Sequence, residues 1–168
     1  NVTVSDGNGG LDWSNFTLTV VNVNDPPHII TADKVDAYED VLYFNEYTAG
    51  DVDIGDTVFD WDLKSNATWL KIDSLTGNLS GTPDQSKVRM YWVNVSVTDA
   101  HLGVGFSYFI LTVHNTNDAP VWKKVPSTGN IVRHTAYSFD ADATDLDVGA
   151  QLTYGISSTP ETDIAIDP

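Results

Sequence analysis

Cysteine is absent from the chain, and basic residues are scarce: Lys and Arg number 8 against 24 Asp and Glu. Without cysteine there is no disulfide frame, no thiolate metal site and no thiol nucleophile. The acidic excess leaves a formal charge of 8 − 24 = −16. A phosphate-backbone binder needs clustered Lys and Arg, so nucleic acid is excluded as a partner. An anionic membrane surface is disfavoured for the same reason. No apolar run approaches the roughly 20 residues of a membrane span, and no helical period lasts beyond a turn or two. Catalytic signatures are missing too. His28, His101, His114 and His134 are scattered, with neither the spacing of a zinc protease motif nor a nucleophile elbow. Carboxylate pairs of the kind glycosidases use arise here from abundance alone. No enzyme is expected in this segment.

What is present is enough for a core. Hydrophobic residues make up 41% and aromatics 11%, which argues against disorder. Phe16, Leu18 and Val20 alternate with Asn15, Thr17 and Thr19; Tyr91, Val93, Val95 and Val97 alternate with Trp92, Asn94, Ser96 and Thr98. Phe109, Leu111 and Val113 continue the habit. Period two between clusters of Gly, Pro, Asn and Asp predicts half-buried antiparallel strands and an all-β sandwich class.

An internal repeat then sets the organisation. Residues 1–27 align without gaps on 94–120, an offset of 118 − 25 = 93, with 14 of 27 positions identical. DVDIGDTVFDWDL from Asp51 likewise matches DLDVGAQLTYGIS from Asp145, and 145 − 51 = 94. The expected domains are the C-terminal strands of one sandwich (1–27), a complete one (28–119) and the N-terminal part of a third (120–168). Ile72-Asp73 matches Ile166-Asp167 and Asn94 matches Asn1. The intervening 94 − 73 − 1 = 20 residues therefore have no counterpart in the two partial copies. The chain is expected to be a piece of something longer.

Taken in order, Glu39-Asp40, DVDIGD (51–56), TWLKIDSLTGNLSGTP (68–83), VSVTDAHLG (95–103) and HNTNDAP (114–120) resemble the cadherin-like repeats of the dystroglycan type. Such repeats are found in archaeal and bacterial surface proteins. The resemblance covers essentially the whole chain and implies tandem Ig-like, cadherin-like antiparallel β-sandwiches. Calcium takes six to eight oxygens from carboxylates, amides and carbonyls. Asp51 and Asp53 stand two apart, as do Asn22 and Asn24, so in an extended segment each pair leaves from one side. Gly55 permits a sharp turn after Asp53. No single segment supplies enough oxygens; linker, strand end and loop together do.

The resemblance implies a Ca2+ site at each junction. The first takes Asn22, Asn24 and Asp25 from the linker, Asp51 and Asp53, and Asp99 from the far loop. The second takes Glu39, the linker residues Asn115, Asn117 and Asp118, and Asp145 and Asp147. Asp6, the counterpart of Asp99, would serve a junction before these. The linkers carry Asn where cadherins usually place the first Asp, and Arg133 falls where the complete copy has Glu39. Both departures lower ligand charge, so fewer or weaker ions are expected per junction than in animal cadherins.

A lone Asp-x-Asp is more often a turn that satisfies its own backbone. The repeat, the linker motif and the uncompensated charge shift the balance toward calcium. Five N-x-[ST] sequons occur, at Asn1, Asn15, Asn66, Asn78 and Asn94. Asn66 and Asn78 are expected in loops, the other three on strands and facing away from the core. Trp69 reads as packing; Trp13 and Trp92 fall at exposed strand positions that suit sugar stacking. The expected role is a calcium-binding, rigid segment of a secreted cell-surface structural or adhesion protein. Its partners would be neighbouring repeats, like chains in a membrane-associated surface filament, or surface glycans. The rival reading is a spacer or carbohydrate-binding module of an extracellular polysaccharide-degrading enzyme.

Overall fold

The computed structural model describes residues 1–157 apart from Ile54, Val58, Ser127, Thr128, Ile131, Arg133 and His134. Arg133 and the Ile166-Asp167 match lie outside the described residues. Among those described, every regular element is a strand except a single 3-10 turn at Gln85–Lys87. In chain order the strands are β1 (Val2–Ser5), β2 (Leu11–Ser14), β3 (His28–Ile29), β4 (Asp36–Tyr38), β5 (Tyr43–Glu46), β6 (Ala49–Gly50) and β7 (Asp60–Ser65). There follow β8 (Lys71–Ile72), β9 (Asn78–Gly81), β10 (Met90–Thr98), β11 (Val104–His114), β12 (Val121–Lys124) and β13 (Asp142–Thr144).

One sheet has the order β4-β11-β10-β7, with β11 antiparallel to β10 and parallel to β4. The other layer consists of β5-β9-β8 and the β3-β6 pair. Alternation decides which side chains go inward. On β10 Tyr91, Val93, Val95 and Val97 are buried, and on β11 Phe109, Leu111 and Val113 are. They meet Tyr43, Tyr47, Trp61, Leu70 and Leu79 in one core that lies wholly between residues 37 and 113. Each such side chain contributes about 1.5–3 kcal/mol by leaving water. Trp69 packs edge-on against Tyr43 and Tyr91, with ring centroids 6.4 and 6.0 Å apart, so its role is packing. Gly77 explains the Thr-Gly-Asn-Leu stretch: its φ is +72°, and a Cβ there would lie 2.7 Å from the Tyr47 carbonyl and 2.8 Å from the Trp61 ring.

Equivalent stretches of sequence pair with equivalent registers. Val2 pairs with Ser14 and Ser5 with Leu11, as Val95 pairs with Ser107 and Thr98 with Val104. Each residue has moved by the same 93 positions. At the other end Val121 pairs with Thr144 and Trp122 with Ala143, as His28 pairs with Gly50 and Ile29 with Ala49.

One expected strand is not formed. Residues 15–21, with Phe16, Leu18 and Val20, have no regular structure and stand exposed. The reason is missing pairing. Their counterparts 108–114 pair with Met90–Asn94 and with Asp36–Tyr38, and among the described residues no strand pairs with 15–21. Alternation supplied the apolar face, but a ladder also needs a neighbour.

The contrast is testable with one side chain in two settings. Leu111 is fully buried on β11, and its counterpart Leu18 is 78% exposed. Leu111→Ala is expected to cost about 2–5 kcal/mol in chemical denaturation. Leu18→Ala is expected to stay within about 0.5 kcal/mol.

Candidate metal centres at the two linkers

Each linker, residues 22–27 and 115–120, lies against a tight acidic turn. The expected extended Asp-x-Asp segment is in fact bent. The Asp51 carboxylate accepts the Asp53 amide at 2.9 Å, and the Asp56 amide reaches the Asp53 carbonyl at 3.3 Å. This is the local backbone bonding that Asp offers in turns. Gly55 takes φ +101°, as the sharp turn requires. The second copy bends alike, with the Asp145 carboxylate accepting the Asp147 amide at 2.8 Å.

At the first linker Asp53 is the hub. Its carboxylate accepts the Asn22 side-chain amide and the Asp25 backbone N–H, both at 2.7 Å. Asn24 donates to Asp99 at 3.1 Å, while Asp99 also takes the amides of His101 and Gly103 at 2.7 and 2.8 Å. A Cβ at Gly103 would strike the Asp99 carboxylate and lie 2.9 Å from Pro26 Cα, so the linker approaches only because position 103 has no side chain. Oxygens of Asp51, Asp56 and Asp99 fall within 4.8 Å of one another. Asp51 Oδ2 is buried without a partner.

The second linker reproduces the hub. Asp147 accepts the Asn115 side-chain amide at 2.7 Å and the Asp118 backbone N–H at 2.8 Å. Here Glu39 is added. It is fully buried, its Oε1 accepts the Thr116 amide at 2.7 Å, and its Oε2 has no partner. A left-handed Asp40, φ 57°, makes the turn after β4 that holds it there. Oxygens of Glu39, Asp118 and Asp147 lie within 4.8 Å of one another, and Asp118 Oδ2 is also buried and unpartnered. The lysine ion pairs, Lys87–Asp84 and Lys124–Asp140, lie elsewhere.

Of the residues expected from sequence, the structure joins Asn22, Asn24, Asp51, Asp53 and Asp99 at the first linker, and Glu39, Asn115, Asp118, Asp145 and Asp147 at the second. Asp25 contributes its backbone amide. The Asn117 amide turns instead to the Asp118 carbonyl at 2.9 Å. Two participants were missed. Asp56 closes the same hexapeptide, and His101 Nδ1 stands 3.1 Å from its Oδ2. Comparison of the copies hid Asp56, because Ala150 replaces it in the second.

The acceptor sequons also need correction. Asn78 lies on β9 rather than in a loop, with a buried Oδ1, because the Thr-Gly turn ends one residue earlier than expected. Asn1 and Asn15 flank the first hairpin rather than lying within its strands. Asn66 follows β7 in an exposed bend, and Asn94 lies on β10.

A β-sandwich whose strands pair antiparallel except for β4 with β11 is the Ig-like and cadherin-like class. The chain belongs to the family described as "Putative Ig domain", which matches residues 26–114. Among solved structures it is similar to the Protocadherin GammaB4 extracellular domain, with 18% identity, a TM-score of 0.50 and coverage of 74% of this chain and 24% of that one. It is also similar to the human Desmocollin-1 ectodomain (14% identity, TM-score 0.40, 73% and 27% covered). A third is the SrpA adhesin from Streptococcus sanguinis (13%, TM-score 0.46, 68% and 72% covered). The chain thus spans about a quarter of the two ectodomains. No curated protein sequence matches it. Among the described residues no helix is long and apolar enough to cross a membrane.

Asp99 at the first linker and Asp118 at the second are shifted in opposite senses. Burial pushes the Asp99 carboxyl up, but the hydrogen bonds from Gly103, Asn24 and His101 outweigh it and leave its pKa lowered. Burial, with the charges of Asp147, Asp40 and Asp145, pushes Asp118 up. A lowered carboxyl stabilises above its unfolded pKa and loses that contribution as pH falls through the folded value; a raised one destabilises at high pH and recovers as pH falls. In chelator at pH 7, Asp118→Asn is therefore expected to raise the melting temperature and Asp99→Asn to lower it. Both differences should shrink as pH enters the carboxylate range, read by thermal melts.

Proposed function

We propose that the chain is a calcium-clamped segment of a secreted cell-surface structural or adhesion protein built from tandem cadherin-like sandwiches. Residues 1–27 would end one repeat, 28–119 form the next and 120–168 begin the third. The observation that carries this reading is Glu39. A fully buried carboxylate with one oxygen unpartnered, beside Asp118 and Asp147, is costly unless a cation joins it. The donor set is all oxygen, which suits a hard cation.

Glu39, Asp118, Asp145 and Asp147 would hold the ion at the second linker, with Asn115 turning its amide oxygen inward. Asp51, Asp53, Asp56 and Asp99, with Asn22 and Asn24, would do so at the first. A bound calcium ion supplies two positive charges and no reaction. The residues do the rest: they tie a linker, a turn and a strand end into one unit. Without the ion the carboxylates repel and the linker loosens. Sites of this kind in extracellular modules bind at about 10⁻⁴–10⁻³ M, which fits a location outside the cell. Neighbouring repeats of the same chain are the first partners, and like chains the next.

Calorimetric titration of the chelator-treated chain is expected to show saturable calcium binding, weakened severalfold or more by Glu39→Gln, with magnesium a poor substitute. Calcium at 100 times its Kd should add about 2.7 kcal/mol of stability. Asp118→Asn should change sign, stabilising in chelator and destabilising in calcium. Absence of saturable binding up to millimolar calcium would sink the clamp and leave plain acidic spacers.

A further inference from the structure

The outer face of the four-stranded sheet carries a row of exposed apolar side chains that the linkers do not use. On β11 Phe106, Tyr108 and Ile110 are 70%, 59% and 46% exposed, and on β10 Trp92 is 40% exposed. Register places Trp92 opposite Ile110, Asn94 opposite Tyr108 and Ser96 opposite Phe106. Side chains directly opposite stand about 4.5–5.5 Å apart at Cβ, and diagonal ones about 7–8 Å. Asn94 therefore stands among Trp92, Tyr108 and Phe106, with Lys64 opposite on β7. Contiguous apolar patches on a soluble surface mark something that covers them.

Two observations say what. Asn94-Val95-Ser96 is an acceptor sequence for N-glycosylation. Buried Val93 and Val95 on either side turn Asn94 outward into the centre of the patch. Asn66-Ala67-Thr68 borders the same patch. Its Oδ1 accepts the Trp92 amide at 2.9 Å, which leaves its side-chain nitrogen free to carry a substituent. Trp92 is thus flanked by two acceptors. The first copy keeps the acceptor and one aromatic: Asn1-Val2-Thr3 replaces Asn94-Val95-Ser96 at the 93-residue offset, with Trp13 in the place of Phe106, while Asn15 and Thr17 stand where Tyr108 and Ile110 do. The third residue changes from Thr to Ser and the acceptor pattern survives. A second copy of the chain is the weaker occupant of this face, because Asp60 and Asp62 border it on β7 and would meet like charge there.

We propose that an N-linked glycan on Asn94 covers this face, its first sugars lying over Trp92, Tyr108 and Phe106. The side-chain nitrogen attacks C1 of a lipid-diphosphate-linked oligosaccharide. The N–C1 bond forms, the C1–O bond breaks and its electron pair leaves with the lipid diphosphate, while the amide gives up one proton. The C–H faces of the sugar rings then meet the electron-rich ring faces, and the hydroxyls stay in water. This proposal does not depend on calcium.

The test uses the full chain secreted from a host with an N-glycosylation pathway. Glycopeptide mass spectrometry should find Asn94 occupied. Removing the glycan enzymatically, or by Asn94→Gln, should raise hydrophobic-dye binding severalfold; Asn66→Gln should raise it less. Trp92→Ala in the glycoprotein should remove the melting-temperature gain that the glycan gives. An occupied Asn94 whose glycan changes neither dye binding nor melting overturns the proposal, as does a glycoprotein that dimerises through this face. An unoccupied Asn94 also overturns it. Saturable binding of free oligosaccharide to the bare chain, lost in Trp92→Ala, would then assign the face to sugar capture.

Discussion

Carboxylates held within 4.8 Å of one another, with no lysine or arginine paired to them among the described residues, set the terms on which each linker meets its turn. Two unit charges 4 Å apart repel by about 4 kcal/mol at the effective dielectric of a protein surface. The fold nonetheless assembles them from three directions, because backbone amides offset part of that cost. Asp53 and Asp147 are each gripped by a linker amide and an asparagine side chain. The sandwich core pays for the remainder, and it is placed to do so. β10 and β11, its most deeply buried strands, run straight into the loop that carries Asp99 and the linker that carries Asp118.

The two linkers share a frame and differ in composition. Both have the hub carboxylate, the Asn donor and the bent Asp-x-Asp. The first adds Asp56 and Asp99 with His101 at its edge; the second adds the buried Glu39. An exposed imidazole near one cluster and a sealed carboxylate at the other give the junctions different access to solvent. Repetition of the backbone leaves room for such variation, because the turn needs only its Asx bonds and a residue that tolerates the left-handed conformation.

Much of this could be read from the residues. The period-two stretch Tyr91–Val97 gave β10, and residues 93 apart take equivalent partners in β1-β2 and β10-β11. The candidates Asn22, Asn24, Asp51, Asp53 and Asp99 lie near one another, and so do Glu39, Asn115, Asp118 and Asp147, because the turns that carry them are local. What failed was non-local. Phe16–Val20 has the pattern of a strand, but strand formation depends on a partner that alternation cannot reveal. Asn78 looked like a turn residue, yet it pairs with Glu46 on β5. Asp56 escaped notice because one copy has lost it, and Gly103 because its role is the space left for Pro26.

The parallel pairing of β4 with β11 has a mechanical consequence. β4 lies near the point where the chain enters the packed core, and β11 is where it leaves, and Thr112, Val113 and His114 lie alongside Asp36, Ala37 and Tyr38. A pull along the chain drags these neighbours in opposite directions along their own axis. Their hydrogen bonds are then loaded together in shear, instead of opening one after another like a zip. Glu39 and Thr116, bonded just beyond that seam, sit where the load arrives.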